Sequence, residues 1–248
     1  MQAKTIIAII QAHMSSTRLP GKVMKDLCGE PALYRMIERV RQSKLLTDIV
    51  IATSTLPCDD QIVEACEKWG VHTFRGSDSD VLSRYWGAAQ MYPADAYMRL
   101  TSDCPLLDPI TIDTEIQYFL DHDFRYVSST AGGICKPTYP GGIGGEVFTA
   151  ELLEETARNA TEGYEHEHVT PYMYWKQDSL GAVPYKENAS QYRITLDTPE
   201  DYDVINRVYN ALYTPGNTFS LEDILTYLRA HPEVVAINSM IVQKKVKG

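Results

Sequence analysis

No apolar run in this 248-residue chain approaches the ~20 residues needed to cross a bilayer as a helix. The start, Gln2-Ala-Lys4, is polar and leads into only a short apolar run, Thr5-Ile-Ile-Ala-Ile-Ile10, which is not a secretory leader pattern. The five cysteines, Cys28, Cys58, Cys66, Cys104 and Cys135, form no C-x-x-C pair. Their odd number and scatter argue against a disulfide framework and a thiolate metal cluster. The expectation is a cytoplasmic protein with reduced thiols and no membrane insertion. Positive charge is also short, with 23 Lys and Arg against 33 Asp and Glu and a net charge of −10. A broad nucleic-acid surface is therefore not expected. Two familiar phosphate loops are missing as well. No G-x-G-x-x-G follows the first apolar run, and a P-loop would need Gly where Ser16 stands and Ser or Thr where Val23 stands. Repeats, low-complexity tracts and clear linkers are lacking, so a single domain over 1–248 is expected, with 131–185 as a subregion of its own.

What is present begins at that first run. Ile6 to Ile10 reads as a buried strand, and the chain then switches abruptly to Gln11-Ala-His-Met-Ser-Ser-Thr-Arg-Leu-Pro-Gly-Lys22. This loop would leave the C-terminal edge of a sheet, where open α/β folds bind ligands. Hydroxyls at Ser15, Ser16 and Thr17, mobile backbone at Gly21 and cations at Arg18 and Lys22 suit a polyphosphate. Composition alone fits an ordinary basic surface loop equally well.

Strand and helix then alternate. Strands are expected at Asp48-Ile-Val-Ile-Ala-Thr53, Val71-His-Thr-Phe74 and Ala96-Tyr-Met-Arg-Leu100. Helices are expected after Pro31, after Asp59 and Asp60 as cap or first-turn residues, from Asp80 to Met91 and after Pro109. Four alternations predict a mostly parallel sheet covered on both faces. Past Ser129 the rhythm breaks. Ala131 to Gly145 is rich in Gly and Pro and reads as a lid, a ligand loop or a plain connector. Glu151 to Ala160 and Glu165 to Trp175 read as helices, Leu180 to Tyr185 and Tyr192 to Leu196 as strands, and further helices start at Pro199 and after Ser220.

Two carboxylates stand at strand-to-helix junctions: Asp103 after Arg99-Leu-Thr-Ser102, and Asp197 after Arg193-Ile-Thr-Leu196. Together they could hold a Mg²⁺ that completes its shell with water and phosphate; singly, each could cap a helix. His166 and His168, two apart, would point to different sides of a helix, so no metal is assigned to them.

The string Ile10-Gln-Ala-x-Met-x-Ser-Thr-Arg-Leu-Pro-Gly-Lys22 followed by Leu27-x-Gly29-x-Pro31 resembles the signature of the cytidylyltransferase family, which includes CMP-Kdo and CMP-sialic acid synthetases. The likeness is greatest to its SpsF-type branch of spore coat polysaccharide proteins. It continues through Ala52-Thr-Ser54, Phe74-Arg-Gly-Ser77, Asp80-Val-Leu82, Asp103-Cys-Pro-Leu106, Glu167-His-Val-Thr-Pro171 and Asp197-Thr-Pro-Glu-Asp201, spanning about residues 5 to 205.

The resemblance implies an α/β, three-layer Rossmann-like nucleotidyltransferase fold with a mostly parallel central sheet. It implies transfer from CTP to a sugar or sugar acid, giving a CMP-activated product and pyrophosphate for a surface glycan. Asp103 and Asp197 match the metal-binding aspartates, with Mg²⁺ as cofactor, while Lys22 and Arg18 would stabilise charge on pyrophosphate. Nucleotide contacts would come from Gln11, Ala12, His13, Ser16, Thr17, Arg18, Gly21 and Lys22, from Thr53, Ser54, Arg75, Gly76, Ser77 and Asp80 around the base, and from Ser102. Acceptor contacts are assigned to Arg99, Glu167 and His168. Arg99 also fits an internal ion pair, and Glu167 and His168 a structural role. Relatives are often dimers, and Glu165 to Tyr185 is the expected subunit contact. One position departs from the family: His13 stands where Arg is usual, replacing a permanent planar cation with a titrating imidazole. Two rival readings stay open. A nucleotide-sugar glycosyltransferase could use Asp78-Ser-Asp80 as its Asp-x-Asp metal motif, and a non-catalytic nucleotide-binding protein would accommodate His13.

Overall fold

The computed structural model describes residues 4–129, 136–242 and 246. Ala131 to Cys135, the first part of the glycine-rich stretch, lies outside the described residues. The centre of the molecule is β1 (Ile6–Gln11), a run whose first five residues are all buried. It is flanked in parallel by β4 (Asp48–Ser54) and β6 (Ala96–Thr101), and β4 pairs in turn with β5 (His72–Gly76). A strand buried on both faces needs no polar alternation, which is why these runs read as uninterrupted Ile, Val and Ala. Between β1 and β4 lie a small antiparallel hairpin of β2 (Asp26–Leu27) and β3 (Glu30–Pro31) and then helix α1 (Ala32–Val40).

The crossover helices are α2 (Asp60–Trp69), α3 (Val81–Met91) and α4 (Pro109–Asp121). Local chemistry sets their ends. Gly70 stops α2 in the left-handed region at φ 62°. Asp80 and Asp108 cap α3 and α4 by accepting from Ser83 N and Thr111 N at 2.9 Å. The second half of the sheet is built from β7 (Tyr126–Ser128), β8 (Glu146–Thr149) and β9 (Leu180–Ala182), giving the order β5-β4-β1-β6-β8-β7-β9. Only β8 runs against the others. Helices α5 (Ala150–Asn159), α6 (Gly163–His168), α7 (Pro171–Lys176), α8 (Pro199–Leu212), α9 (Leu221–Ala230) and α10 (Pro232–Asn238) complete the chain.

One sheet face packs Ile10, Ile51 and Met98 with residues of α1, α2 and α4. The other packs Ile9, Val50 and Tyr97 with residues of α3, α5 and α7. These are the two helix layers expected of a mostly parallel sheet. A further core gathers α8 and α9 with Leu19, Tyr139, Ile194 and Leu196.

Several expectations are corrected. Tyr192 to Leu196 is not a sheet strand. It pairs with Gly141 through an isolated bridge, with Ile194 N donating to Gly141 O at 2.7 Å. At Gly142 (φ 102°) a Cβ would come within 2.7 Å of the Ile194 backbone, so only glycine permits this approach. Glu165 to Trp175 is two helices rather than one. Val169 takes φ 69°, rare for a β-branched residue, and Pro171 restarts the helix. The short β8 and α10 carry too few residues to show periodicity and were not anticipated.

Candidate functional site

The first loop leaves β1 at the C-terminal edge of the sheet and is fixed at three points. Gly21, at φ 65°, donates its N–H to Met14 O, and Met14 N donates to the buried Asp59 at 2.7 Å. Leu19, 6% exposed, is drawn into the core that also holds Ile194 and Leu196. Leu196 N then donates to Asp103 O at 2.7 Å. Shared packing thus carries Lys22, Asp103 and Asp197 to one place although 175 residues separate Lys22 from Asp197.

There the Lys22 ammonium lies 2.8 Å from Asp197 Oδ1 and 3.6 Å from Asp103 Oδ2. Arg18 reaches Asp197 Oδ2 at 3.0 Å, and Arg193 reaches the same oxygen at 3.0 Å while also pairing with Asp201. Burial opposes the charge on Lys22, but Asp103 and Asp197 outweigh it and raise its pKa. Burial would likewise raise Asp197, yet Lys22 and Arg18 hold its carboxyl below the usual range. Neither aspartate is a helix cap. Thr198 caps α8 in a box with Asp201, and Asp108 caps α4, so both carboxylates are available for the site.

Around this centre Gln11 pairs in register with Ala52 and Thr101, and its carbonyl accepts from Ser102 N at 3.1 Å. Ala12 is buried beside it, and Ser16, Thr17 and Arg18 lie along the open part of the loop. His13 bonds Ser15 Oγ at 2.9 Å. Burial and then the Lys22 charge lower its pKa, so the imidazole is neutral at pH 7.

Of the residues expected around the base, Thr53 and Ser54 are fully buried. The Ser54 hydroxyl donates to Asp59 and accepts from Leu56 N, so it faces inward. Arg75 braces the same turn through Ser54 O, Leu56 O and Asp60. Gly76 lets the Arg84 stem approach; a Cβ there would meet it at 3.0 Å. Ser77 Oγ accepts from Asp80 N at 3.1 Å, and Asp80 bonds His166 Nδ1 at 3.0 Å besides capping α3.

Arg99 does not open toward a ligand through its ion pair. It is bound to Glu146, which also accepts from Tyr126 OH and Thr170 Oγ1. Of the two roles the residue suggested, the structure supports the internal one. Glu167 and His168 end α6 just before the strained Val169, their side chains 4.0 Å apart. His166 and His168 belong to no metal cluster among the described residues.

Four further positioning residues were not picked out from the sequence. Asp59 was read only as a cap or first-turn residue, but its carboxylate ties the first loop to the end of β4. Arg193 holds Asp197. Glu146 anchors Arg99. Arg84, 2% exposed, donates to Ser77 O at 2.6 Å and Asp78 O at 2.9 Å, shaping the loop before α3. A buried arginine inside an amphipathic helix pattern gives no local signal of what it binds.

A cation-bearing loop at the C-terminal edge of a parallel sheet, facing two acidic groups from distant segments, is the architecture of a nucleotide-handling α/β enzyme. Comparison with known proteins makes the class specific. A family model described as Cytidylyltransferase matches residues 7–224, and the chain belongs to that family. It is 37% identical to the Bacillus subtilis spore coat polysaccharide biosynthesis protein SpsF over 92% of this chain and 95% of that one. Its fold matches a cytidylyltransferase from Leptospira borgpetersenii with a TM-score of 0.87 at 30% identity, covering 98% and 100% of the two chains. A CMP:2-keto-3-deoxy-manno-octonic acid synthetase complexed with CTP shares the fold at TM-score 0.67 and 16% identity, over 84% and 100% of the two chains.

Proposed function

We propose that this cytidylyltransferase transfers CMP from CTP to an oxygen of a sugar or sugar acid, releasing pyrophosphate, in the synthesis of a surface polysaccharide. The observation that carries this reading is the single Lys22 ammonium shared by Asp103 and Asp197 at the sheet edge. An acceptor oxygen would attack the α-phosphorus, the bond to the β-phosphate oxygen would break, and the acceptor would lose its proton. Such chemistry asks the protein mainly for alignment and charge neutralisation. Lys22 and Arg18 would pair the triphosphate and stabilise charge growing on pyrophosphate. Asp103 and Asp197, two carboxylates facing one point, fit Mg²⁺, which prefers one or two carboxylates plus phosphate oxygens. When bound there, the ion would supply Lewis-acid neutralisation of the phosphate.

The name of SpsF supports polysaccharide synthesis, and the neighbour bound to CTP supports the nucleotide. Against the glycosyltransferase alternative stands Asp80, which caps α3 and bonds His166. A homodimer is proposed through residues 165–185, where Trp175 is 41% exposed beside Tyr164 and Tyr174. Light scattering tests that assembly.

The reaction itself is tested by a pyrophosphate-release screen with Mg²⁺, the four nucleoside triphosphates and a panel of sugars and sugar acids. Acceptor-dependent release from CTP, well above that from UTP, supports the reading. Indifference to free CTP alongside turnover of a nucleotide sugar would replace it with the glycosyltransferase.

A further inference from the structure

Helix α1 buries two arginines one turn apart, and their surroundings differ. Arg35 pairs with Glu38 at 3.0 Å. Arg39, 3% exposed, has two backbone carbonyls and a ring instead. Its Nε donates to Leu107 O at 2.7 Å and its Nη2 to Phe219 O at 3.0 Å, and its Cζ lies 4.1 Å from the centroid of the Phe219 ring. The acidic groups that act on it, Asp108 and Glu38, are bonded elsewhere: Asp108 by Thr111 N and Leu221 N, Glu38 by Arg35. The residues outside the described ones include no Asp or Glu. Burial accordingly pulls the Arg39 pKa down, and Tyr209, Asp108 and Glu38 offset only part of that effect.

A charge taken out of water without a counter-charge is costly, and carbonyl dipoles offset the cost incompletely. The remaining nitrogen, Nη1, has no acceptor among the described residues, yet it is not one of the polar atoms sealed in the core. Arg39 forms part of the wall of a cavity of about 240 Å³, enclosed by α1, the end of α8 and the turn from Thr214 to Phe219. That volume falls below the ~300–1,000 Å³ of typical small-molecule sites, which suits a small ion rather than a nucleotide. The other charged residue of the lining, Glu38, is neutralised by Arg35. The cavity therefore carries one uncompensated positive charge.

Its walls also hold the turn that begins at Asp103. Arg39 binds Leu107 O, and Tyr209 OH donates to Pro105 O at 2.6 Å. The turn is closed by Leu107 N donating to Cys104 O at 3.2 Å. We infer that this cavity is a second anion site, separate from the loop of residues 11–22, that it takes a small oxyanion on Arg39, and that occupancy braces the turn holding Asp103. A guanidinium meets phosphate and carboxylate oxygens alike through charge-assisted N–H bonds, so either group satisfies the site.

The test titrates the full chain with sodium phosphate and, separately, sodium malonate at constant ionic strength, by calorimetry. Hydrogen exchange read by mass spectrometry locates the ion. At least one of the two should bind with a Kd of about 1 mM or tighter, and slow exchange about threefold or more in peptides spanning 103–107 and 214–219. Phosphate binding and malonate binding each support the site, and the tighter of the two names the source of the oxyanion. Arg39→Met, which removes the guanidinium and keeps an apolar stem, should weaken binding at least about tenfold. Gln42 is exposed and lines the cavity, so Gln42→Glu should weaken binding about threefold and Gln42→Lys tighten it by a similar factor. Should Arg39→Met fail to fold, the opposed Gln42 pair decides.

No binding of either ion up to about 20 mM overturns the inference. So does slowed exchange confined to residues 11–22, which would put the ion on the first loop only. Unchanged affinity in folded Arg39→Met, or in both Gln42 variants, overturns it as well. The proposed transfer from CTP is read by pyrophosphate release and stands or falls apart from these outcomes.

Discussion

The two halves of the sheet prepare their ligand surfaces in different ways. On the β5-β4-β1-β6 side, parallel strands end at one edge, and the loop from 11 to 22 carries its hydroxyls, its glycine turn and both cations within twelve residues. On the β8-β7-β9 side the strands have three or four residues and one is reversed, and where the halves adjoin a cavity of about 440 Å³ is assembled from segments near 101, 140, 193 and 238. Phosphate binding is a generic task that one contiguous loop can meet. Recognition of a particular acceptor needs walls whose spacing is set by tertiary packing. The halves meet at Asp197, which takes its cation from the first and its backbone support from the second.

The largest way to break the comparison is therefore at that meeting point. Asp197→Asn removes the shared partner of Lys22, Arg18 and Arg193. Turnover should fall roughly 100-fold to 1,000-fold, and stability by about 3 kcal/mol because buried cations lose their counter-charge. Steady-state kinetics and urea unfolding check the two separately. A stability loss with normal turnover would make Asp197 a structural hinge only.

A second test touches only the β8-β7-β9 half. Glu115 on α4 is fully buried and accepts from Ser129 N and Gly145 N, pinning both ends of the glycine-rich segment. Burial pushes its carboxyl up to about 8, with those donors offsetting part of the effect. The folded protein then keeps a proton that the unfolded chain releases above its ordinary 4.5. Stability should decline between those two pH values, by at most about 1.4 kcal/mol per pH unit. Glu115→Gln should flatten the decline in unfolding experiments run across that range. An unchanged slope would contradict the assignment.

The smallest expected effect belongs to the nucleotide half. With its pKa lowered by burial and Lys22, His13 gains charge only below its ordinary 6.5. The KM for CTP should fall as pH drops through that region, because a cation appears beside the loop proposed to hold the triphosphate. His13→Arg should lower KM at pH 7 by about threefold to tenfold, roughly 1 kcal/mol, and remove the pH dependence. A KM unaffected by the substitution would place His13 away from phosphate.

The same division decides what was legible in the sequence. Uninterrupted β-branched runs and helices with correct caps disclosed the parallel half, whereas the pairing of Asp103 with Asp197 came from the family resemblance, since each alone also fitted a helix cap and Asp197 follows no sheet strand. Tyr192 to Leu196 misled, because its alternation reflects burial in the α8–α9 core rather than a sheet ladder. Asp59 looked like a helix-start residue because it precedes α2, yet its carboxylate makes no cap bond and instead serves Met14 N and Ser54 N. Arg99 and Arg84 could not be resolved, because which carbonyl or carboxylate a buried guanidinium meets depends on segments far along the chain.

The central claim is that one ammonium, shared by two aspartates, stabilises charge leaving as pyrophosphate. Measuring kcat and KM for CTP in Lys22→Ala, with the acceptor found by the screen, tests it most directly. A kcat at least 100-fold lower, corresponding to about 3 kcal/mol of transition-state stabilisation, is predicted. A kcat within a few-fold of wild type would contradict the account.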